Sequence, residues 1–172
     1  MIKQKTLDNG IRVVMEKINS VESVSIGIWN KVGSVDEAPV HSGISHLIEH
    51  MLFKGTEKRT AKQIATDVDR IGGNINAFTG KEYTCYYIKA LSSNLDRACD
   101  IIFDMYVDSR FDPEELTKEK DVIFEEIKMI EDSPEDDAGD ILFEIVFRGM
   151  ELGRPIIGTV DSLTNISRED MI

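Results

Sequence analysis

His46-Leu47-Ile48-Glu49-His50 is the stretch that decides how this chain folds and what it can bind. Residues three and four apart share one face of a helix, so His46, Glu49 and His50 would point the same way. Two neutral imidazoles at this spacing suit tetrahedral zinc, and a carboxylate beside them is placed to take a proton from a zinc-activated water. Two of the chain's three histidines lie in this pentapeptide. The spacing therefore predicts a catalytic zinc site on a helix.

The residues around the pentapeptide support a helix over residues 42–53. At about 100° per residue, four apolar residues gather on the side opposite the histidines. They are Ile44, Leu47, Ile48 and Met51. Phe53 falls on the histidine side. The alternative interpretation is an ordinary solvent-exposed helix face, but such a face would carry Lys, Glu or Gln rather than two His and a Phe. We expect His41, outside the cluster, to be a loop histidine without a ligand role.

The composition indicates which class of protein this is. With 172 residues, 41% hydrophobic and 30% charged, the chain fits one soluble globular domain, residues 1–172, with a real core. Cys85 and Cys99 form no disulfide framework and no metal-binding spacing, so they are expected to be reduced thiols. No leader-like segment and no membrane-spanning run is visible, which makes a cytoplasmic location without membrane association the expectation.

The net charge of −12 argues against a nucleic-acid partner, because phosphates would be repelled. The same charge favours attraction of basic peptides.

Alternation and turn residues predict five strands, over residues 2–7, 11–18, 24–32, 74–79 and 83–91. Asp8-Asn9-Gly10 predicts a hairpin between the first two strands. Helical patterns cover residues 61–71, 93–108, 113–131 and 135–148, and residues 149–165 read as irregular. Strands followed by helices indicate an α+β domain, with one antiparallel sheet and helices packed on one side. The capping box from Ser167 to Asp170 opens a helix, and the sequence ends two residues later, so we expect the native chain to continue.

The helix over residues 113–131 is rich in glutamate and offers a third zinc ligand. Its apolar stripe consists of Leu116, Ile123, Ile127 and Ile130. Glu119 and Glu126 lie about 50–70° from the centre of that stripe, whereas Glu125 points nearly the opposite way. Glu119 and Glu126 can therefore reach inward, although each is also compatible with a surface glutamate at the core boundary.

His46-x-x-Glu49-His50 followed by Glu126, 76 residues after His50, resembles the pitrilysin-type (inverzincin) zinc peptidases. That family includes insulin-degrading enzyme and the mitochondrial processing peptidase. Residues 6–13 look like its opening hairpin, residues 43–56 like its motif helix, and residues 72–84 like its substrate-side strand. The resemblance covers nearly the whole chain and is nearest to bacterial processing-peptidase-like members.

The resemblance implies a role for each matching residue. His46 and His50 correspond to the histidine ligands of zinc, Glu126 to the carboxylate ligand, and Glu49 to the general base. Glu119 resembles an additional acid near the site, which would support the ligands rather than bind the metal.

The resemblance also implies a peptide substrate. Asn76, Ala77 and Phe78 correspond to an edge strand that takes an extended substrate by strand addition. We expect Phe53, on the histidine side, to contact the substrate as well.

The family builds a half-enzyme from two homologous domains and closes two halves around the substrate. This chain would be the first such domain, needing a second domain or a homodimer partner, so we expect it alone to be weakly active. A non-catalytic subunit is one alternative, but the intact Glu49 and histidines weigh against it. A module with structural zinc is another, although such sites are closed by four ligands rich in Cys.

Overall fold

The computed structural model describes residues 2–172 and forms five strands and seven α-helices in that range. The strands are β1 (Ile2–Thr6), β2 (Arg12–Glu16), β3 (Ser23–Asn30), β4 (Asn74–Thr79) and β5 (Thr84–Leu91). The helices are α1 (Ile44–Leu52), α2 (Ala61–Arg70), α3 (Leu95–Val107), α4 (Pro113–Glu131), α5 (Pro134–Val146), α6 (Val160–Asn165) and α7 (Arg168–Met171). Among these residues no helix combines the length and the apolar character needed to cross a membrane.

Strands β1 and β2 form the predicted hairpin, with Ile2 opposite Glu16 and Thr6 opposite Arg12. The hairpin is a sheet of its own, so the prediction of one sheet was wrong in this respect. Nearly all residues of both strands are exposed. Its alternating apolar residues therefore do not join the layer that packs on the helices.

The main sheet has the order β3–β5–β4 and is antiparallel throughout. Burial alternates along β3 and β4, so one face of the sheet turns inward. The inward residues Ile26, Ile75 and Ile88 join a core formed with α1, α2 and α3. The α+β class with helices on one side is confirmed. Strand β4 lies at the edge, and no strand among residues 2–172 pairs with its free side.

Helix α1 lies between two cores instead of having one buried face. Leu47 and Met51 pack with α4 and α6, whereas Leu52 packs in the core beneath the sheet. The helix ends at Leu52, and Phe53 is its C-cap residue. Phe53 is partly buried against the sheet core, with Ile75 beside it. Phe53 therefore packs on the sheet core, and its predicted contact with a substrate stays a prediction.

Helix α4 has the bounds that the sequence predicts. The Asp112 side chain accepts hydrogen bonds from the backbone N–H groups of Glu114 and Glu115, at 2.9 and 3.3 Å. Pro113 occupies the first helical position, where a missing N–H costs nothing. Residues Leu116, Ile123 and Ile127 are buried in the core that α4 shares with α1.

Residues 149–165 are not irregular throughout, as the sequence suggested. A short 3-10 helix covers Glu151–Gly153, and α6 follows at Val160–Asn165. Thr159 Oγ1 accepts a hydrogen bond from the Ser162 backbone N–H, at 3.1 Å. This capping box was missed because serine stands where Glu or Gln is usual.

Candidate metal centre

Helices α1 and α4 bring three potential metal ligands together. The ligand atoms of His46, His50 and Glu126 all lie within 4.8 Å of one another. Glu126 Oε2 is 4.0 Å from His46 Nε2 and 3.8 Å from His50 Nε2. Ligands of a tetrahedral zinc lie about 3.4 Å apart, given bond lengths near 2.05 Å. Two imidazoles and one carboxylate therefore fit zinc in chemistry and nearly in spacing, and they leave the fourth position open.

His46 is the more enclosed of the two histidines, with 14% of its side chain exposed. Burial, with a smaller contribution from the neighbouring His50, lowers the pKa of His46 to about 4. The imidazole is therefore neutral at pH 7 and has a lone pair to offer a metal. Its Nδ1 atom is buried and has no hydrogen-bond partner among the residues that the structure describes.

His50 is held by its second ring nitrogen. Its Nδ1 atom lies 3.1 Å from Glu119 Oε2, and Lys54 Nζ contacts the other Glu119 oxygen. Glu119 is buried at 5% exposure, as its place beside the apolar stripe predicted. Glu119 thus contacts His50 through the ring nitrogen that does not face Glu126.

Glu49 lies on α1 between the histidines and is half-buried. Thr79 Oγ1, on β4, donates a hydrogen bond to Glu49 Oε2. Burial raises the pKa of Glu49, and the hydrogen bond from Thr79 and the charge of His50 partly oppose that rise. A carboxylate whose pKa moves towards neutrality is a better general base than an ordinary one.

The orientation of the glutamates on α4 follows the helical phase. The side chain of Glu126 is 41% exposed and faces the histidines, whereas that of Glu125 is 72% exposed. Glu125 pairs instead with Lys128, at 2.7 Å.

His41 lies outside the group of potential ligands. It ends a 3-10 helix, and its Nε2 atom lies 3.6 Å from Asp170 Oδ1.

Strand β4 brings its free edge next to the centre, through the contact between Thr79 and Glu49. Ala77, like Thr79, belongs to the inward face of the strand, and it packs on the sheet core. Asn76 and Phe78 are exposed on the outer face. The Phe78 ring packs edge-on to Trp29, with centroids 5.7 Å apart. Thr79 thus joins β4 to the centre, whereas Asn76 and Phe78 lie on the opposite face of the strand.

The sequence patterns did not identify two residues of the centre, Thr79 and Lys54. The alternation of β4 places Thr79 on the same face as Ala77, so its inward direction could have been read from the strand pattern. Nothing in the local sequence singles out Lys54. Its contact with Glu119 depends on how α4 crosses α1, which no local pattern reports.

Known proteins resemble this chain in both sequence and fold. The family model described as Insulinase (Peptidase family M16) matches residues 12–160. YmxG of Bacillus subtilis, named as an uncharacterized zinc protease, is 48% identical over 171 residues, 99% of this chain and 42% of that protein. A protease from Helicobacter pylori superposes with a TM-score of 0.94 and 28% identity, over 99% of this chain and 42% of that one.

A peptidase M16 inactive domain from Pseudomonas fluorescens has a TM-score of 0.90 at 14% identity, which shows the fold alone. It too is matched over 99% of this chain and 42% of its own length. The chain therefore spans about two fifths of the length of each of these three proteins. With the family model covering most of its residues, the chain belongs to the insulinase family of peptidases, family M16.

Proposed function

We propose that this chain carries the metal-binding and proton-transferring part of a zinc metalloendopeptidase. The observation that carries the proposal is the convergence of His46, His50 and Glu126 within 4.8 Å, with Glu49 between the two histidines on α1. Zinc, when bound, would supply a Lewis acid that polarises a peptide carbonyl and acidifies a water molecule.

Glu49 is the proposed proton carrier. Its carboxylate takes a proton from the attacking water and later gives it to the nitrogen of the leaving amine. The hydrogen bond from Thr79 fixes one carboxylate oxygen, so the other oxygen is the one free to accept the proton. Glu126, together with the histidines, would hold the metal, and Glu119 would orient His50.

The free edge of β4 is the proposed binding surface for the substrate. An extended peptide can add to an open edge through main-chain hydrogen bonds, which makes binding tolerant of sequence. Thr79 ends β4 and touches Glu49, so a peptide paired along the strand would pass beside the base. The charge of −12 favours basic or presequence-like segments over acidic ones.

A second domain or a homodimer partner is part of the proposal. The chain spans 42% of YmxG, and the longer proteins have room for further contacts to a substrate. We therefore expect slow hydrolysis from the 172 residues alone.

A non-catalytic subunit is the second candidate function. The fold is shared with a domain described as inactive, so the fold does not decide activity. The residues of the centre favour the first candidate, because a scaffold has no need of Glu49 beside three convergent potential ligands. A purely structural zinc would be expected to have a fourth protein ligand. The group identified among residues 2–172 has three.

Hydrolysis of a basic, internally quenched fluorescent peptide tests the proposal. Glu49→Gln should lower the rate by about 10²–10⁴-fold, the usual contribution of a general base, while zinc content stays at the wild-type value. Glu125→Gln, an exposed glutamate on α4, is the matched control and should retain the wild-type rate. Zinc-independent hydrolysis, or an unchanged rate in Glu49→Gln, would refute the proposal.

A further inference from the structure

The first turn of α1, which carries His46, has no cap from its own sequence. Its N-cap residue is Gly43, with φ of +92° and no side chain to accept a hydrogen bond. A side chain has no room there, because a Cβ atom on Gly43 would lie 2.5 Å from the Ile157 carbonyl oxygen. The close crossing of these two backbone segments therefore requires glycine and leaves the helix N–H groups to find a partner elsewhere.

The partner is Glu37, six residues before the N-cap. Its Oε2 atom accepts a hydrogen bond from Gly43 N–H at 2.7 Å, and its Oε1 atom accepts one from Ser45 N–H at 2.9 Å. Glu37 is buried, at 7% exposure. A carboxylate at a helix N-terminus also interacts favourably with the helix dipole. One remote side chain thus supplies the function that a Ser or Asp at the N-cap normally has.

Glu37 is itself attached to the strand side of the centre. It follows a 3-10 helix, Ser34–Asp36, whose backbone N–H groups bond the turn between β4 and β5. Ser34 N–H donates to the Gly80 carbonyl at 3.3 Å, and Val35 N–H donates to that of Lys81 at 2.9 Å. Gly80 directly follows Thr79, which contacts Glu49. Glu37 therefore connects the end of β4 to the start of α1.

The two histidines differ in what holds their rings. His50 is oriented by Glu119, at 3.1 Å. His46 Nδ1 has no hydrogen-bond partner among the described residues, so nothing comparable holds that ring. The position of His46 depends on the backbone of the first turn of α1, and that turn is the one that Glu37 holds.

We propose that Glu37 is a positioning residue for the zinc centre, which sets the place of His46 by capping α1 from outside the helix. The inference rests on the proposed function, because it takes His46 to be a zinc ligand. Loss of the Glu37 carboxylate should allow the first turn to fray and the His46 imidazole to move away from His50 and Glu126. Zinc affinity should then fall even in protein that remains fully folded.

Zinc titration of the 172-residue chain against a competing chelator, without denaturant, tests this. Glu37→Gln keeps the shape and one accepting oxygen, and Glu37→Met keeps only the shape. We expect zinc affinity to fall about tenfold in the first and further in the second, as for residues that orient metal ligands. Bound Co²⁺ should show a weaker visible absorption, because that absorption reports the coordination geometry.

Asp104→Asn is the matched control, because Asp104 is similarly buried, at 4% exposure, and its polar partners Thr56, Lys58 and Arg59 lie outside α1. It should lower stability towards urea and leave zinc affinity within twofold of the wild type. Equal zinc affinity in wild type and both Glu37 variants would overturn the inference, as would an equal loss in Asp104→Asn. His46→Ala separates the two proposals: if it binds zinc as tightly as the wild type, the proposed function fails as well.

Discussion

His50 Nδ1 lies 3.1 Å from Glu119 Oε2, and this contact fixes which nitrogen of His50 faces the metal position. When Nδ1–H donates to the carboxylate, the lone pair remains on Nε2, which lies 3.8 Å from Glu126 Oε2. Lys54 Nζ contacts the second oxygen of Glu119, so both oxygens of this buried carboxylate have a partner.

Removing the charge of Glu119 should weaken zinc binding without removing a ligand. Glu119→Gln is expected to lower zinc affinity by about 10- to 100-fold, the usual effect of losing a partner that orients a ligating histidine. Glu115→Gln, one turn earlier on α4 and paired with Lys118 on the surface, serves as control. Chelator competition gives both affinities. An unchanged affinity in Glu119→Gln would show that His50 is oriented by packing alone.

Backbone methylation of a peptide tests strand addition at β4. In a paired strand, alternate backbone N–H groups point towards the neighbouring strand. An N-methyl group at a nitrogen facing β4 should weaken binding strongly, and the same group one residue further along should not. Competition against cleavage of a fluorescent peptide measures both. Equal effects at the two positions would point to another mode of binding.

Asp104 provides a pH-dependent contribution to stability away from the metal centre. Burial alone would raise the pKa of Asp104, but hydrogen bonds from Arg59 and Thr56 outweigh it and hold the pKa below its ordinary value of 3.8. The folded state therefore binds this proton more weakly than the unfolded state does. The stabilisation is present above the unfolded pKa and is lost as the pH falls through the folded pKa.

Asp104→Asn should accordingly lower the free energy of unfolding by about 2 kcal/mol at pH 7, as expected for a buried hydrogen bond to a charged group. The difference from the wild type should stay constant down to about pH 5 and shrink as the pH falls below the unfolded value. Urea unfolding at a series of pH values measures it. A difference that grows on acidification would contradict the assignment.

Gly158→Ala should disturb the crossing beneath α1. Gly158 has φ of +81°, and a Cβ atom there would lie 2.4 Å from the Ser42 carbonyl oxygen. The left-handed backbone and the overpacking together should cost about 3 kcal/mol. Gly72→Ala is the matched control, since Gly72 has φ of +60° and nothing within 4 Å. It should cost about 1 kcal/mol. Equal losses in chemical unfolding would mean that the crossing is not tightly packed.

Most of the centre could be predicted from the sequence because the patterns that indicate it lie within single helices. The spacing of His46 and His50 and the phase of Glu126 are properties of single helices, and helical geometry converts both into directions. The bounds of α4 followed for the same reason, from Asp112 and Pro113 at its start.

The remaining features depend on how separate helices and strands pack against one another. The packing of Phe53 was not foreseen, because α1 supports two cores, and the second core depends on the elements that pack on α1 rather than on its own periodicity. The cap from Glu37 reaches across six positions that include the 3-10 helix Pro39–His41, and the contact of Lys54 with Glu119 requires α4 to cross α1 at a particular height. No pattern within one element reports such distances.

The central claim is that His46, His50 and Glu126 hold one zinc ion, and metal analysis of two neighbouring variants tests it most directly. Purified wild-type chain should contain about one zinc per molecule. Glu126→Gln should lose most of that zinc at micromolar free metal, whereas Glu125→Gln, whose side chain pairs with Lys128 on the surface, should retain it. Equal zinc content in the two variants, whether both keep the metal or both lose it, would contradict the account.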